Sequence, residues 1–270
     1  MMKNESERKP KMKPDYKNWM PKGMVRGFNI TFLGLCAALV ITALLAAGTV
    51  RTVLLIVFGV AALAFLGLSI WSVMMYRAFD YHGKRRMSRQ IIEGTAEYVK
   101  VPKGGKCLDV GCGSGALSIA VARRNPEASV IGVDRWGKEY ASFSKKLCED
   151  NARAEGVKNV TFRQGDATRL EFPNETFDAV TSNYVYHNIP GDRQAILMET
   201  LRTLKKGGTF VIHDIMSVSK YGDMNAFVKK LKDLGYEKAE LIGTTNGKFM
   251  KKSEAGWMGL GGSALLIGKK

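Results

Sequence analysis

Between Gly27 and Tyr76 the chain carries a single charged residue, Arg51. No other feature limits the fold so severely, because uncharged runs above about 18 residues are rare in water-soluble domains and match the ~30 Å hydrocarbon thickness of a bilayer. Phe28 to Thr49 and Thr52 to Met75 read as two membrane spans, each roughly 33 Å or more as a helix. The Gly48-Thr49-Val50-Arg51 break leaves room only for a tight turn, so an antiparallel hairpin is expected, with both of its ends on one side of the membrane. A cleaved leader fits poorly: the first run exceeds an ordinary leader core, and a second span would remain after cleavage.

The flanks orient this hairpin. Lys3, Arg8, Lys9, Lys11, Lys13, Lys17, Lys22 and Arg26 precede it, and Arg77, Lys84, Arg85, Arg86 and Arg89 follow it. Basic residues concentrate on the cytoplasmic side, so the N-terminus and everything after the second span are expected there, anchored in a cell membrane by two passes. Trp19, Trp71 and Tyr76 are placed as interfacial aromatics, and Gly34, Ala37, Ala38, Gly59, Ala61 and Gly67 offer small faces for helix contact, within the hairpin or in a homodimer.

The formal charge is +16, from 41 Lys and Arg against 25 Asp and Glu. An excess of this size calls for an anionic partner. About +10 of it lies before residue 90, on both sides of the apolar region, which favours anionic lipid headgroups over nucleic acid. The four cysteines, Cys36, Cys107, Cys112 and Cys148, have no paired metal-ligand spacing, so neither a metal site nor a disulfide framework is expected.

The domain reading is therefore a basic N-terminal segment (1–27), two transmembrane helices (28–76; about 28–49 and 52–75), a basic linker (77–87) and one catalytic domain (88–270). Within the last, amphipathic helices alternate with short apolar runs, the pattern of a parallel sheet covered on both faces. Strands are expected at 106–110, 129–133, 160–164, 177–182 and 209–213, the last entered through the Lys205-Lys206-Gly207-Gly208 turn. Helices are expected at 88–99, 116–124, 138–155, 193–204 and 223–234. Two further strands, 237–244 and 263–268, flank a loop containing Phe249, Trp257 and Met258.

The first strand runs into Asp109-Val110-Gly111-Cys112-Gly113-Ser114-Gly115, where glycines let backbone N–H groups approach a ligand at a helix start. Taken alone, this turn also suits NAD, and both cofactor classes want an acid after the next strand, where Asp134 stands. The ordered set of Asp109, Gly-x-Gly-x-Gly, Asp134 and Gly165-Asp166-Ala167 resembles the class I S-adenosylmethionine-dependent methyltransferases of small-molecule type. The Phe177-Asp178-Ala179-Val180 strand and its Leu-Lys-Lys-Gly-Gly turn add to the resemblance, which covers about residue 88 to the C-terminus; the apolar hairpin lies outside the family's common core.

The resemblance implies an α/β, Rossmann-like, doubly wound seven-stranded sheet whose last strand is antiparallel. It also implies S-adenosylmethionine as cofactor, with Gly111, Gly113 and Gly115 beside its methionine and ribose part and Asp134 accepting from both ribose hydroxyls. Asp166 and Ala167 would lie at the adenine, Arg135 or Trp136 over the ring, and Asn183 at the methionine end.

Methyl transfer is an in-line displacement that needs a base only when the acceptor must lose a proton. The segment after the fourth strand, Ser182 to Asn188, is the place to look. His187 is the candidate base, Tyr186 or Tyr184 would orient the acceptor, and His213 and Asp214 could complete a polar patch with His187. An active site beside a bilayer suggests an amphipathic or lipid-like acceptor, with Phe249, Trp257 and Met258 as lid residues. Two other classes stay open: an NAD-dependent oxidoreductase, and a non-catalytic membrane protein that binds S-adenosylmethionine.

Overall fold

The computed structural model describes residues 12–137 and 142–270 of the chain. Lys3, Arg8, Lys9 and Lys11, and the beginning of the helix expected from residue 138, lie outside the described residues. The chain divides into two units: residues 12–17 with Gln90–Lys270, and Asn18–Arg89.

The second unit is built on α1 (Lys22–Leu45) and α2 (Gly48–Phe79), two helices long and apolar enough to cross a membrane, with 18-residue stretches of mean hydropathy 2.2 and 2.8. They pack on one another, with Phe28 edge-on to Phe65 at 6.3 Å between ring centroids. Their outer faces carry Ile30, Leu33, Leu44, Leu45, Val60 and Leu63, each more than half exposed. An apolar surface of that extent is stable only when something other than water covers it. The reversal falls at Ala46 and Ala47, both extended, and not at residues 48–51 as the sequence suggests. Arg51 consequently sits in the first turn of α2, where its amide bonds to the Ala47 carbonyl.

Beyond α2, α3 (Met87–Tyr98), most of which belongs to the first unit, leads into β1 (Lys106–Val110), α4 (Ala116–Arg124), β2 (Ser129–Asp134), α5 (Lys145–Glu155), β3 (Val160–Gln164) and β4 (Phe177–Asn183). Then come α6 (Arg193–Arg202), β5 (Leu204–Ile215), α7 (Val218–Tyr221), α8 (Met224–Asp233), β6 (Lys238–Gly243), α9 (Lys252–Trp257) and β7 (Ser263–Lys269). The strands form one sheet in the order β3-β2-β1-β4-β5-β7-β6, with β7 antiparallel to both neighbours. The doubly wound seven-stranded sheet expected from the sequence is thus present, and its order reverses between β1 and β4, where ligands of such sheets bind at the carboxyl ends of the strands.

Local chemistry explains most boundaries. Asp192 and Asp223 cap α6 and α8, each carboxylate accepting from two backbone amides of the first turn. Gly156 ends α5 in the left-handed conformation. Leu108, Val110, Val180, Phe210 and Ile212 bury the middle of the sheet, with Leu197, Leu201, Phe227 and Leu231 of the covering helices in the same cluster.

Two expectations need correction here. Lys205-Gly208 is an irregularity inside β5 and not a turn ahead of it, because Leu204 already pairs with Phe177 before the register shifts to Thr209 against Ala179. The expected loop between the last two strands contains α9, started by Glu254, whose carboxylate accepts from the Lys251 amide at 2.9 Å.

Candidate functional site

The glycine loop is held by the strand beside it. Val133 at the end of β2 accepts from the amides of Gly111 (2.8 Å) and Cys112 (3.0 Å), which folds the chain sharply out of β1. Gly111 has φ +73, and a Cβ there would lie 2.2 Å from Val185. The glycine is therefore required both by its left-handed backbone and by the approach of the segment that follows β4.

Asp134 ends β2 facing the loop. Its Oδ2 accepts from the Gly113 amide at 2.9 Å and its Oδ1 from the Trp136 amide at 2.7 Å. Each carboxylate oxygen can accept a further bond, so the pair of oxygens suits a vicinal diol. Trp136 lies over the loop, with φ +45 and its indole N–H donating to the Gly113 carbonyl at 3.0 Å. Gly113, Asp134 and Trp136 are thus brought together as expected. The indole is fixed to the loop, where the sequence suggested a stacking partner for a base.

Asp109 is buried at the end of β1. Ser118 of α4 donates to its Oδ2 at 2.5 Å, while its Oδ1 has no hydrogen-bond partner. Burial, opposed by the Ser118 bond, pushes this carboxyl up to about 7. An unsatisfied buried acceptor beside a glycine loop is what a cationic ligand group would complete.

After β3, Gly165 donates to the Asp134 carbonyl at 3.0 Å, which brings the third element of the motif to the second. Asp166 is exposed, and its Oδ1 accepts from the Thr168 amide (2.8 Å) and hydroxyl (2.7 Å). Those bonds, with the nearby Arg135 cation, hold it below the usual carboxylate range. Ala167 packs against the core.

The other half of the site lies at the ends of β4 and β5. His187 Nδ1 is bonded to Asp214 Oδ1, and the His187 amide donates to Asp214 Oδ2 at 3.2 Å. The Asp214 carboxylate is fully buried; Tyr221 donates to it at 2.8 Å and the Ile215 amide at 2.7 Å. Burial favours its protonation, but these donors, His187 first, outweigh burial and hold it below the usual carboxylate range. An anionic Asp214 keeps the proton of a neutral His187 on Nδ1, which leaves Nε2 as the acceptor. Of the expected patch of His187, His213 and Asp214, His187 and Asp214 are joined, with Tyr221 as a member that the sequence did not single out.

His213 plays a different part. It is completely buried between Asn183 (2.8 Å to Nδ1) and Thr244 (3.0 Å to Nε2), and burial pushes it down to about 3, so it stays neutral. The Asn183 carboxamide, expected at a cofactor, is turned onto this histidine instead.

Tyr184 is half-buried with φ +55; its hydroxyl bonds to Ser263 (2.8 Å) and its ring meets those of His187 (5.9 Å) and His213 (4.7 Å). Burial raises its phenol, which disqualifies it as a base. Tyr186, expected to orient an acceptor, is corrected: it is fully buried, with its hydroxyl on Thr200 of α6, because the turn Tyr186–Asn188 points it into the core while presenting His187 outward. Phe249 and Met258, expected as lid residues, are also buried; Phe249 lies against Gly94 and meets the His213 ring at 5.2 Å. Trp257 is 38% exposed. Among the described residues, no group of three or more His, Cys, Asp or Glu could hold a metal ion.

Residues 102–258 match the family model described as a methyltransferase domain. A demethylmenaquinone methyltransferase of Geobacillus stearothermophilus is 34% identical over 125 residues, 46% of this chain and 51% of that protein. The uncharacterized methyltransferase YcgJ of Bacillus subtilis is 35% identical over 109 residues, 40% of each chain. The chain spans about half the length or less of these curated relatives. Among solved structures, the [4+2]-cyclase SpnF superposes with a TM-score of 0.54 at 18% identity, over 71% of this chain and 85% of the other. That likeness shows the fold alone, since one fold serves several chemistries.

Proposed function

Since the chain belongs to the methyltransferase-domain family, we propose that it transfers a methyl group from S-adenosylmethionine to a hydroxyl or activated ring position of an amphipathic, quinone-like acceptor at a membrane. The observation that carries this proposal is the His187–Asp214 pair standing beside the glycine loop. Val185, two residues before His187, touches Gly111, and Ser182 of β4 donates to the Val110 carbonyl at 2.7 Å. The segment that carries His187 and the glycine loop are thus neighbours where the order of the sheet reverses.

The residues present fit the cofactor. Its ammonium group would complete the unsatisfied Asp109 Oδ1, and Asp134 would receive its ribose hydroxyls. When bound, it supplies an electrophilic methyl group on sulfur. His187 Nε2, oriented through Nδ1 by Asp214, takes a proton from the acceptor as the acceptor attacks. Tyr184 lines the approach beside His187, and the Tyr221 hydroxyl keeps Asp214 ionised while the imidazole gains its positive charge. Positioning and the exclusion of water account for the remainder of the acceleration.

Three further features support an apolar acceptor reached from a membrane. The demethylmenaquinone methyltransferases among the relatives are named for a quinone acceptor. The helices α1 and α2 suit two passes, with the basic residues 77–89 and the basic N-terminal segment on the cytoplasmic side against anionic headgroups. The Tyr184 ring stands edge-on to His187 at 5.9 Å between ring centroids.

The test uses full-length protein in lipid nanodiscs, given S-adenosylmethionine labelled on the methyl group and either a demethylated, reduced isoprenoid naphthoquinone or a phospholipid. Label is expected in the quinone only, and none with His187→Ala. Label in the phospholipid alone would overturn the acceptor class; label in neither, with no binding of S-adenosylhomocysteine, would overturn the activity.

A further inference from the structure

Residues 12–17 precede the apolar hairpin, and the sequence alone makes them part of a basic leader. In the structure they belong to the catalytic unit. The main chain of Asp15 pairs with the side chain of Asn151 on α5: its amide donates to Asn151 Oδ1 at 2.7 Å, and its carbonyl accepts from Asn151 Nδ2 at 3.0 Å. The same Nδ2 also donates to the Ser114 carbonyl at 3.0 Å, inside the glycine loop. Asn151 is 2% exposed, and the oxygen and both hydrogens of its carboxamide are committed in these three bonds. One turn along α5, the buried Tyr16 donates from its hydroxyl to Glu155 at 3.2 Å.

We propose that residues 12–17 form a strap that buttresses the glycine loop through Asn151, so that chain lying ahead of the hairpin is part of the wall of the cofactor site. Asn151 is then a positioning residue for that site. Its glycines contribute no side chains, so its shape depends on where its backbone groups bond: Gly111 and Cys112 to Val133, Gly113 to Asp134, Trp136 and Cys148, and Ser114 to Asn151. Removing the Asn151 carboxamide takes the side-chain donor from the carbonyl of the buried Ser114 and breaks both bonds to the Asp15 main chain, and the loop then gains conformations that cannot bind. A ligand must pull such a loop back into shape, so the apparent affinity falls by the fraction of molecules that are competent. The strap itself needs no chemistry, since its bonds to Asn151 come from main chain.

This inference rests on the assignment of the glycine loop to S-adenosylmethionine. The experiment therefore measures two quantities on full-length, detergent-solubilised protein: calorimetric affinity for S-adenosylhomocysteine, and hydrogen exchange at residues 111–116. Asn151→Ala and deletion of residues 1–17 are each expected to weaken binding by about tenfold or more, and to speed exchange in the loop while β5 stays protected. Asn151→Asp retains an acceptor for the Asp15 amide but loses both donors, and is expected to behave like Asn151→Ala. Leu231→Ala, in the core of α8 away from the loop, serves as the control, lowering the melting temperature without changing affinity. If the strap merely adds stability, Asn151→Ala and Leu231→Ala will lower the melting temperature with unchanged affinity and loop exchange, and the proposal fails. Absence of binding by the unmodified protein, with loop exchange still quickened by Asn151→Ala, would overturn the cofactor assignment and leave the strap; unchanged exchange would overturn the strap itself.

Discussion

The imidazole of His187 is tied through Nδ1 to a carboxylate of Asp214 that has no exposure to solvent, while the imidazole itself remains 13% exposed. The proposed role of His187 as general base rests on this pair, in which a buried anion fixes the direction of the imidazole. His187→Ala is expected to lower kcat by about 10²–10⁴-fold, the range for loss of a general base, and to leave affinity for S-adenosylhomocysteine unchanged. A loss of affinity with kcat intact would place His187 in cofactor binding instead.

Asp214 also predicts a pH dependence of stability. Its folded-state pKa lies below the ordinary value of 3.8, so its ionised form stabilises the fold at all pH values above that range. This contribution is lost as pH falls below about 4, through the folded-state pKa. Asp214→Asn should therefore lower the melting temperature strongly at pH 7 and much less below pH 3. An equal loss at both would show that packing, not charge, is what the carboxylate supplies.

Asp109 behaves in the opposite sense. Burial raises its pKa to about 7, so the folded state holds a proton that the unfolded chain has already released. Stability from this group is present below pH ~4 and declines as pH rises to about 7. Asp109→Asn is expected to raise the melting temperature at pH 8 relative to the unmodified protein, with no gain at pH 4, and to weaken S-adenosylhomocysteine binding.

At Gly111 a methyl group would fall 2.2 Å from Val185 in a backbone conformation with φ +73. Gly111→Ala is expected to cost both a steric clash and roughly 1–2 kcal/mol of left-handed strain. Adding Val185→Ala should recover the clash but not the strain, so thermal melts of the double variant should fall between those of the single Gly111→Ala variant and the unmodified protein. Full recovery would mean that φ is free to relax.

The two tyrosines near His187 should separate cleanly. Tyr186→Phe removes a hydroxyl buried against Thr200 and is expected to cost about 0.5–1.5 kcal/mol of stability with kcat/KM unchanged. Tyr184→Phe, beside the base, is expected to lower kcat/KM more than stability. The reverse result would exchange their roles.

Several elements were legible in the residues themselves. Short strands bounded by glycine and proline, such as β1 and β3, have their ends where the sequence puts them, because turn residues and apolar runs are local signals. The glycine loop, Asp134 and Gly165-Asp166 could be placed together because they follow successive parallel strands, and such strands all end on the same edge of the sheet. The reversal at Ala46 and Ala47 was less legible: two alanines do not compel a turn, and Gly48 and Arg51 are stronger signals a few residues too late.

What the sequence by itself determined, then, is the order of elements, the two apolar helices and the edge of the sheet that carries the glycine loop, all of which follow from periodicity and from backbone-special residues. Tertiary structure alone decided which of two adjacent side chains serves the site. Tyr186 and His187 are neighbours, yet the turn after β4 sends one into the core and the other onto Asp214, a residue 27 positions further along the chain. It alone joined Asp15 to Ser114 through Asn151, across 136 positions of sequence. Contacts of that separation are set by how the finished sheet and helices pack, and no local pattern of residues encodes them.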